Sequence, residues 1–215
     1  MNTKQKNEPL SALTHALGAL LSVAGLIIML VYAAKHGEAT HVIGFSVFGA
    51  SLILLYGTSA VYHFLQRETR IKKLFQRLDH AMIFILIAGT YTPISLVMPY
   101  KAWGWSIFGV IWGLAIIGIT LKLSGIKIRE WVTVSIYILM GWLALIAIKP
   151  LMDWLSADAL FWLFAGGILY TFGCLFFALD NILPRKPWFS MHDVFHLFVI
   201  GGSFCHFWLM FQYVL

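Results

Sequence analysis

The sequence predicts an all-α membrane protein: a seven-transmembrane helix bundle with a cytoplasmic N-terminus and a periplasmic or extracellular C-terminus. Three observations carry this. Only 11% of the 215 residues are charged, 60% are hydrophobic, and the mean hydropathy is +0.85. A soluble domain carries about 25% charged residues, so this chain has too few charges to cover a soluble surface of its size. Seven apolar segments recur, each about 17 to 23 residues long, the length that spans a hydrocarbon core of roughly 30 Å as a helix. Finally, lysine and arginine concentrate in alternate loops.

The segments run approximately 16–34, 42–64, 81–97, 103–121, 132–148, 159–179 and 194–215. The first follows Met-Asn-Thr-Lys-Gln-Lys. It is long for a signal-peptide core and no small-residue cleavage site follows it, so it reads as a retained helix. Lys-His-Gly-Glu separates it from the second segment, and His36 and His41 there read as plain loop residues. The longest charged stretch, Arg67 to Arg77, reads as the loop before the third. Within that third segment, Gly89-Thr-Tyr-Thr-Pro93 predicts a kink, with Thr90 or Thr92 satisfying the freed carbonyls. Pro99, Pro150, Pro184 and Pro187 lie at or near segment ends, where proline is tolerated. A β-barrel would need short alternating segments, and none appear. The short loops make sequential helices antiparallel neighbours and leave room for one domain, 1–215.

With the N-terminus inside, the inner segments hold Lys4, Lys6, Arg67, Arg70, Lys72, Lys73, Arg77, Lys122, Lys127, Arg129, Arg185 and Lys186. The outer ones hold only Lys35, Lys101 and Lys149. This bias sets the orientation of a multi-pass membrane protein. It also accounts for the net charge of +6. There is no basic helix face or aromatic-interleaved basic patch, so a nucleic-acid partner is excluded. Cys174 and Cys205 lie inside apolar runs and form no CxxC pair, so they read as small buried hydrophobes.

Ionisable residues within membrane spans are costly and usually functional. Here they gather at one depth. Segment two ends with Ser59-Ala-Val-Tyr-His63, segment three begins with Arg77-Leu-Asp79-His80, and segment seven begins with His192-Asp-Val-Phe-His196. All fall within about one to three helical turns of the cytoplasmic interface. The i, i+4 spacing of His192 and His196 puts both imidazoles on one helix face, a spacing that suits a shared Zn2+. His63 arrives at the same depth, and three neutral imidazoles leave the open fourth position of a catalytic zinc site. Asp79 could orient a ligand histidine or hold a water at the metal; alternatively it complements the dipole of its helix. Ser59 faces the side of His63, or else serves helix packing. Glu8, Ser11, Thr14 and His15 either cap the first helix or close over the site. His206, deep in segment seven, reads as a core hydrogen-bonder.

At Ser59-x-x-x-His63, Arg77-x-Asp79 and His192-x-x-x-His196, with the Glu8 to His15 stretch, the sequence resembles the hemolysin III family. That family belongs with the progestin and adipoQ receptors (PAQR), including the adiponectin receptors, and more distantly with alkaline ceramidases. The resemblance covers essentially the whole chain and looks like the bacterial branch, which implies a multi-pass protein of the bacterial cytoplasmic (inner) membrane. It implies a seven-helix bundle with Zn2+ held by His63, His192 and His196, a water positioned by Asp79, and Ser59 beside it. It further implies ceramidase-like hydrolysis of a lipid amide, cytolytic activity, or a link to membrane lipid homeostasis.

Three functions compete. The first is zinc-dependent hydrolysis of a membrane lipid amide or ester, with Asp79 and Ser59 catalytic and Arg77, His80, His15 and Glu8 accessory. The second is a non-enzymatic membrane sensor with structural zinc. The third is a cytolysin, which as a monomeric pore would need a polar lining through the bundle, whereas the polar groups are expected to stop near one face. A retinal protein would need a lysine in segment seven, which has none. A haem cytochrome would call for histidine pairs near both faces.

Overall fold

The computed structural model describes residues 8–65, 69–126, 128–180, 182 and 189–215. Of the residues named above, Lys4, Lys6, Arg67, Lys127, Pro184, Arg185, Lys186 and Pro187 lie outside the described residues. Seven helices are long and apolar enough to cross a membrane: α1 (Pro9–His36), α2 (Ala39–Phe64), α3 (Arg70–Val97), α4 (Lys101–Leu123), α5 (Glu130–Trp154), α6 (Ala157–Leu179) and α7 (Met191–Val214). No strand occurs among the described residues. Leu20, Ile27, Ile116, Leu139 and Phe161 are among many large apolar side chains left exposed on the outside of the bundle. Such a surface is stable only against lipid.

Most consecutive helices pack side by side. The exception is α5, which makes sparser contacts, shared between α3 and α6, while α1 closes the bundle against α7. The main core joins Phe45, Phe48 and Tyr56 of α2 to Met29 of α1 and Leu209 of α7. A second core gathers Phe84 and Tyr91 of α3 around Ile111 of α4 and Tyr137 of α5.

Helix ends depart from the apolar segments in ways that matter for the site. α3 begins at Arg70, capped by Thr69, whose hydroxyl accepts from the Lys72 N–H at 3.0 Å. Most of the charged stretch expected to be a loop is therefore helical: the amphipathic turns simply continue beyond the hydrocarbon layer. His36 is the last residue of α1, and His41 lies in the first turn of α2. His41 Nδ1 accepts from the Glu38 N–H at 3.0 Å, completing a capping box, and its Nε2 lies 3.0 Å from the Val214 carbonyl. Neither is a plain loop residue.

α3 runs through Pro93 without interruption. Thr90 donates to Leu86 O and Thr92 to Ala88 O, both at 2.8 Å, so neither hydroxyl serves the Gly89 carbonyl that the proline leaves free. The Pro93 backbone instead meets α2 at Gly44, where a Cβ would lie 2.7 Å from Pro93 Cα. α5 is the broken helix: Trp142–Ala147 is a 3-10 segment between α-helical Glu130–Gly141 and Ile148–Trp154. Tyr91 Oη enters that break, donating to Gly141 O at 2.7 Å and accepting from the Ala144 N–H at 2.8 Å.

Candidate metal centre

The first turns of α1, α3 and α7 and the last turn of α2 meet at one end of the bundle. Each end is built to carry a polar side chain there. α7 opens on a capping box, in which Ser190 Oγ accepts from the Asp193 N–H and Asp193 Oδ2 accepts from the Ser190 N–H at 2.7 Å. Asp180, at the end of α6, accepts from the His192 N–H at 3.3 Å. These two anchors fix the turn carrying His192, and His196 follows one turn later on the same face.

His63, His192 and His196 come together as the sequence predicts. Their ring centroids are 4.9, 4.8 and 4.7 Å apart pairwise. One ligand nitrogen from each falls within a set spanning 4.8 Å. His63 and His196 are buried and His192 is half-buried. His63 Nε2 and His192 Nε2 face each other at 3.2 Å. Two nitrogens bound to one tetrahedral Zn2+ at about 2.0–2.1 Å each would lie about 3.4 Å apart. The donor set therefore fits a divalent cation, with some closing of the third ring.

The hydrogen bonds behind the rings support the same reading. His63 Nδ1 lies 2.7 Å from Glu8 Oε2. A carboxylate only accepts, so the proton sits on Nδ1 and the Nε2 lone pair faces its neighbours. Thr14 Oγ1 lies 3.4 Å from His196 Nδ1. Thr14 spends its own hydrogen on the Leu10 or Ser11 carbonyl, both at 3.0 Å, so its oxygen accepts from the Nδ1–H of His196. That leaves Nε2 of His196 as the free ligand atom.

The N-terminal turns of α1 close over the site rather than cap their helix. Glu8 precedes Pro9 and makes no side-chain cap; its carboxylate goes to His63. Ser11 donates to Asp193 Oδ1 at 2.6 Å across α1 and α7. His15 stacks on His196 with centroids 3.5 Å apart and planes within 9°, and meets Tyr56 edge-on. His15 is 3% exposed, and neither ring nitrogen has a hydrogen-bond partner among the described residues.

Asp79 and Ser59 are both buried and close to each other, with Asp79 in electrostatic reach of His80 and His63. Together with His15 they line a cavity of about 160 Å³ inside the bundle; His63, His192 and His196 are not among its lining residues. Of the other two accessory residues, Arg77 stands apart, whereas His80 lies in electrostatic reach of Asp79 and His63. Arg77 is exposed and lies against the turn at Gly125, which takes a positive φ of 77°. His80 does not line the cavity; its carbonyl accepts from Tyr137 Oη at 2.7 Å.

Sequence reasoning did not single out Asp193 and Asp180, although Ser190-x-x-Asp193 is a legible capping signal. It also expected polar groups to stop near one face. Instead Thr90, Ser95, Tyr170, Thr171 and His206 line the same cavity farther in, among mostly aliphatic and aromatic walls. Of the two free cysteines, Cys205 is buried, while half-buried Cys174 lines this cavity.

Comparison with known proteins agrees with this architecture. The family model described as "Haemolysin-III related" matches residues 3–207. "Hemolysin-3" of Bacillus cereus is 42% identical over 210 residues, covering 98% of this chain and 93% of that one. "Hemolysin-3 homolog" of Bacillus subtilis (strain 168) is 36% identical over 208 residues, covering 97% and 94%. An "Adiponectin receptor protein" of Drosophila melanogaster is 26% identical over 212 residues, 90% of this chain and 48% of that one. With seven apolar helices and a family match over nearly its whole length, this chain belongs to the haemolysin-III-related family and is a multi-pass bacterial membrane protein.

Proposed function

We propose that the chain is a Zn2+-dependent hydrolase acting on an amide or ester of a membrane lipid, its histidine cluster lying near the cytoplasmic face and its N-terminus inside. The observation that carries this reading is a three-histidine donor set beside a buried acid, Asp79, which itself lines an apolar cavity. A purely structural site would need neither the acid nor the cavity. When bound, Zn2+ supplies Lewis acidity towards a carbonyl oxygen and lowers the pKa of water to about 7.

The chain's own groups do the rest. Glu8 and Thr14 hold His63 and His196 in the tautomers that present Nε2. Asp79 takes the proton of the attacking water and later returns it to the departing amine or alcohol, so hydrolysis leaves the enzyme as it began. Ser59 donates to Asp79 while that group is a carboxylate. Once Asp79 is protonated it can donate to Ser59 instead, which frees the hydroxyl hydrogen for the oxyanion. The aliphatic walls of the cavity accept an acyl chain and exclude water.

Lipid turnover by the purified protein tests this. Asp79→Asn is expected to abolish turnover while its bound metal is retained. Unchanged turnover in that variant would overturn the assigned role. A non-enzymatic reading has one observation in its favour: the cluster ties α1, α2 and α7 together. On that reading chelation lowers thermal stability while no lipid is consumed.

A further inference from the structure

The cavity carries a second polar end that the hydrolytic centre does not use. His206 lies ten residues beyond His196 on α7, about 15 Å deeper along the helix. Its ring is 5% exposed and stacks on Tyr170 with centroids 5.6 Å apart. Its Nδ1 has no hydrogen-bond partner among the described residues. Burying such an atom unpaired is costly. The fold nevertheless makes room for the ring: opposite it stands Gly166, where a Cβ would come within 2.6 Å of His206 Nε2.

Ser95 repeats the pattern from α3. It lies sixteen residues beyond Asp79, about 24 Å along that helix. Thr90 and Thr92, on the preceding turn, return their hydroxyls to carbonyls four residues back. Ser95 is 4% exposed, and its Oγ has no partner among the described residues. Both residues line the same cavity as Ser59, Asp79 and His15. Nearby Tyr170 and Tyr56 already share Ser203, at 2.9 and 2.6 Å, so those hydroxyls are not the unpaired ones.

We infer that His206 forms a distal subsite for a hydrogen-bonding group, a hydroxyl or a carbonyl, carried partway along the apolar chain of the ligand, with Ser95 a second polar position farther along the same cavity. The inference rests on the reading that a lipid occupies the cavity with its head at the histidine cluster. The depth of His206 then selects a chain substituted well away from that head. A plain chain would leave both polar atoms unpaired, and this is the physical basis of discrimination.

The test uses the full-length protein in nanodiscs and two probes: a long-chain fatty acid hydroxylated at mid-chain and its unsubstituted parent. Each displaces a fluorescent fatty acid. The wild type is expected to prefer the hydroxylated probe by about five- to tenfold, the effect of one buried hydrogen bond. His206→Phe preserves the stack on Tyr170 and is expected to abolish the preference without weakening binding of the plain chain. Because it removes an unpaired polar group, its Tm should equal or exceed the wild type's. Ser95→Ala should reduce the preference in part. Equal binding of the two probes by the wild type overturns the inference and leaves the lipid reading standing. Failure of both probes to bind overturns the two together. A large fall in Tm for His206→Phe would make His206 a structural hydrogen-bonder and likewise overturn the inference.

Discussion

At the level of single residues, the cluster is governed as much by what stands behind the imidazoles as by the imidazoles themselves. Glu8 is the clearest case: it fixes the proton of His63 on Nδ1 across the α1–α2 interface. Glu8→Gln is expected to keep the fold but weaken Zn2+ affinity by about 10- to 100-fold, the usual effect of losing a carboxylate behind a histidine ligand. Competition with a chromophoric chelator measures this, and unchanged affinity would show that Glu8 does not support the ligand. His63, His192 and His196 were legible because helical spacing and depth can be counted along a chain. The partner of Glu8 was not, because pairing across 55 positions depends on how α1 leans over α2. For the same reason His206 reads as an ordinary core hydrogen-bonder in sequence. Nothing local reveals that its Nδ1 finds no partner and that its ring faces a cavity.

Among the helices, the span count followed directly from apolar length, but their ends did not. An apolar window stops where charge begins, whereas a helix continues for as long as its backbone bonds and caps allow. That is why α3 starts at Arg70, well before its apolar part, and why Asp79 sits inside a helix rather than at its first turn. The break in α5 was illegible for a related reason: Trp142–Ala147 contains no proline and no glycine, and its 3-10 geometry depends on Tyr91 of α3. Tyr91→Phe removes partners from Gly141 O and the Ala144 N–H and is expected to lower stability by about 1–3 kcal/mol. A shift in thermal midpoint under fixed detergent conditions reads this out. No shift would mean the break in α5 does not depend on the hydroxyl. Ser11→Ala cuts the 2.6 Å bond that joins α1 to Asp193. A hydrogen bond to a charged group contributes about 1.5–3 kcal/mol, so a loss of stability of that order, read as a lower Tm, is expected, together with faster proteolysis near the start of α1.

For the whole molecule, a metal held by the histidine cluster would have a global effect. Its ligands come from α2 and α7, and Glu8 and Thr14 add α1, so three of the seven spans converge on one point. Ligand that binds only the folded state stabilises it, by about 2.7 kcal/mol at a hundredfold excess over Kd. Chelation is therefore expected to lower the Tm of the wild type, and Zn2+ to restore it; a chelator-insensitive Tm would contradict that coupling. Orientation is decided at this scale too, by summed loop charge rather than by any one contact. A reporter fused at the C-terminus is expected to be active outside the cytoplasm, and cytoplasmic activity would invert the proposed topology.

The most direct measurement is the metal content of the protein purified without chelators. Wild type is expected to carry about one Zn2+ per chain, as a single three-histidine site requires. A His192→Ala, His196→Ala double variant that remains folded is expected to carry none. A metal-free wild type that also fails to take up added Zn2+, or a double variant as fully loaded as the wild type, would contradict convergence of the three imidazoles on one cation.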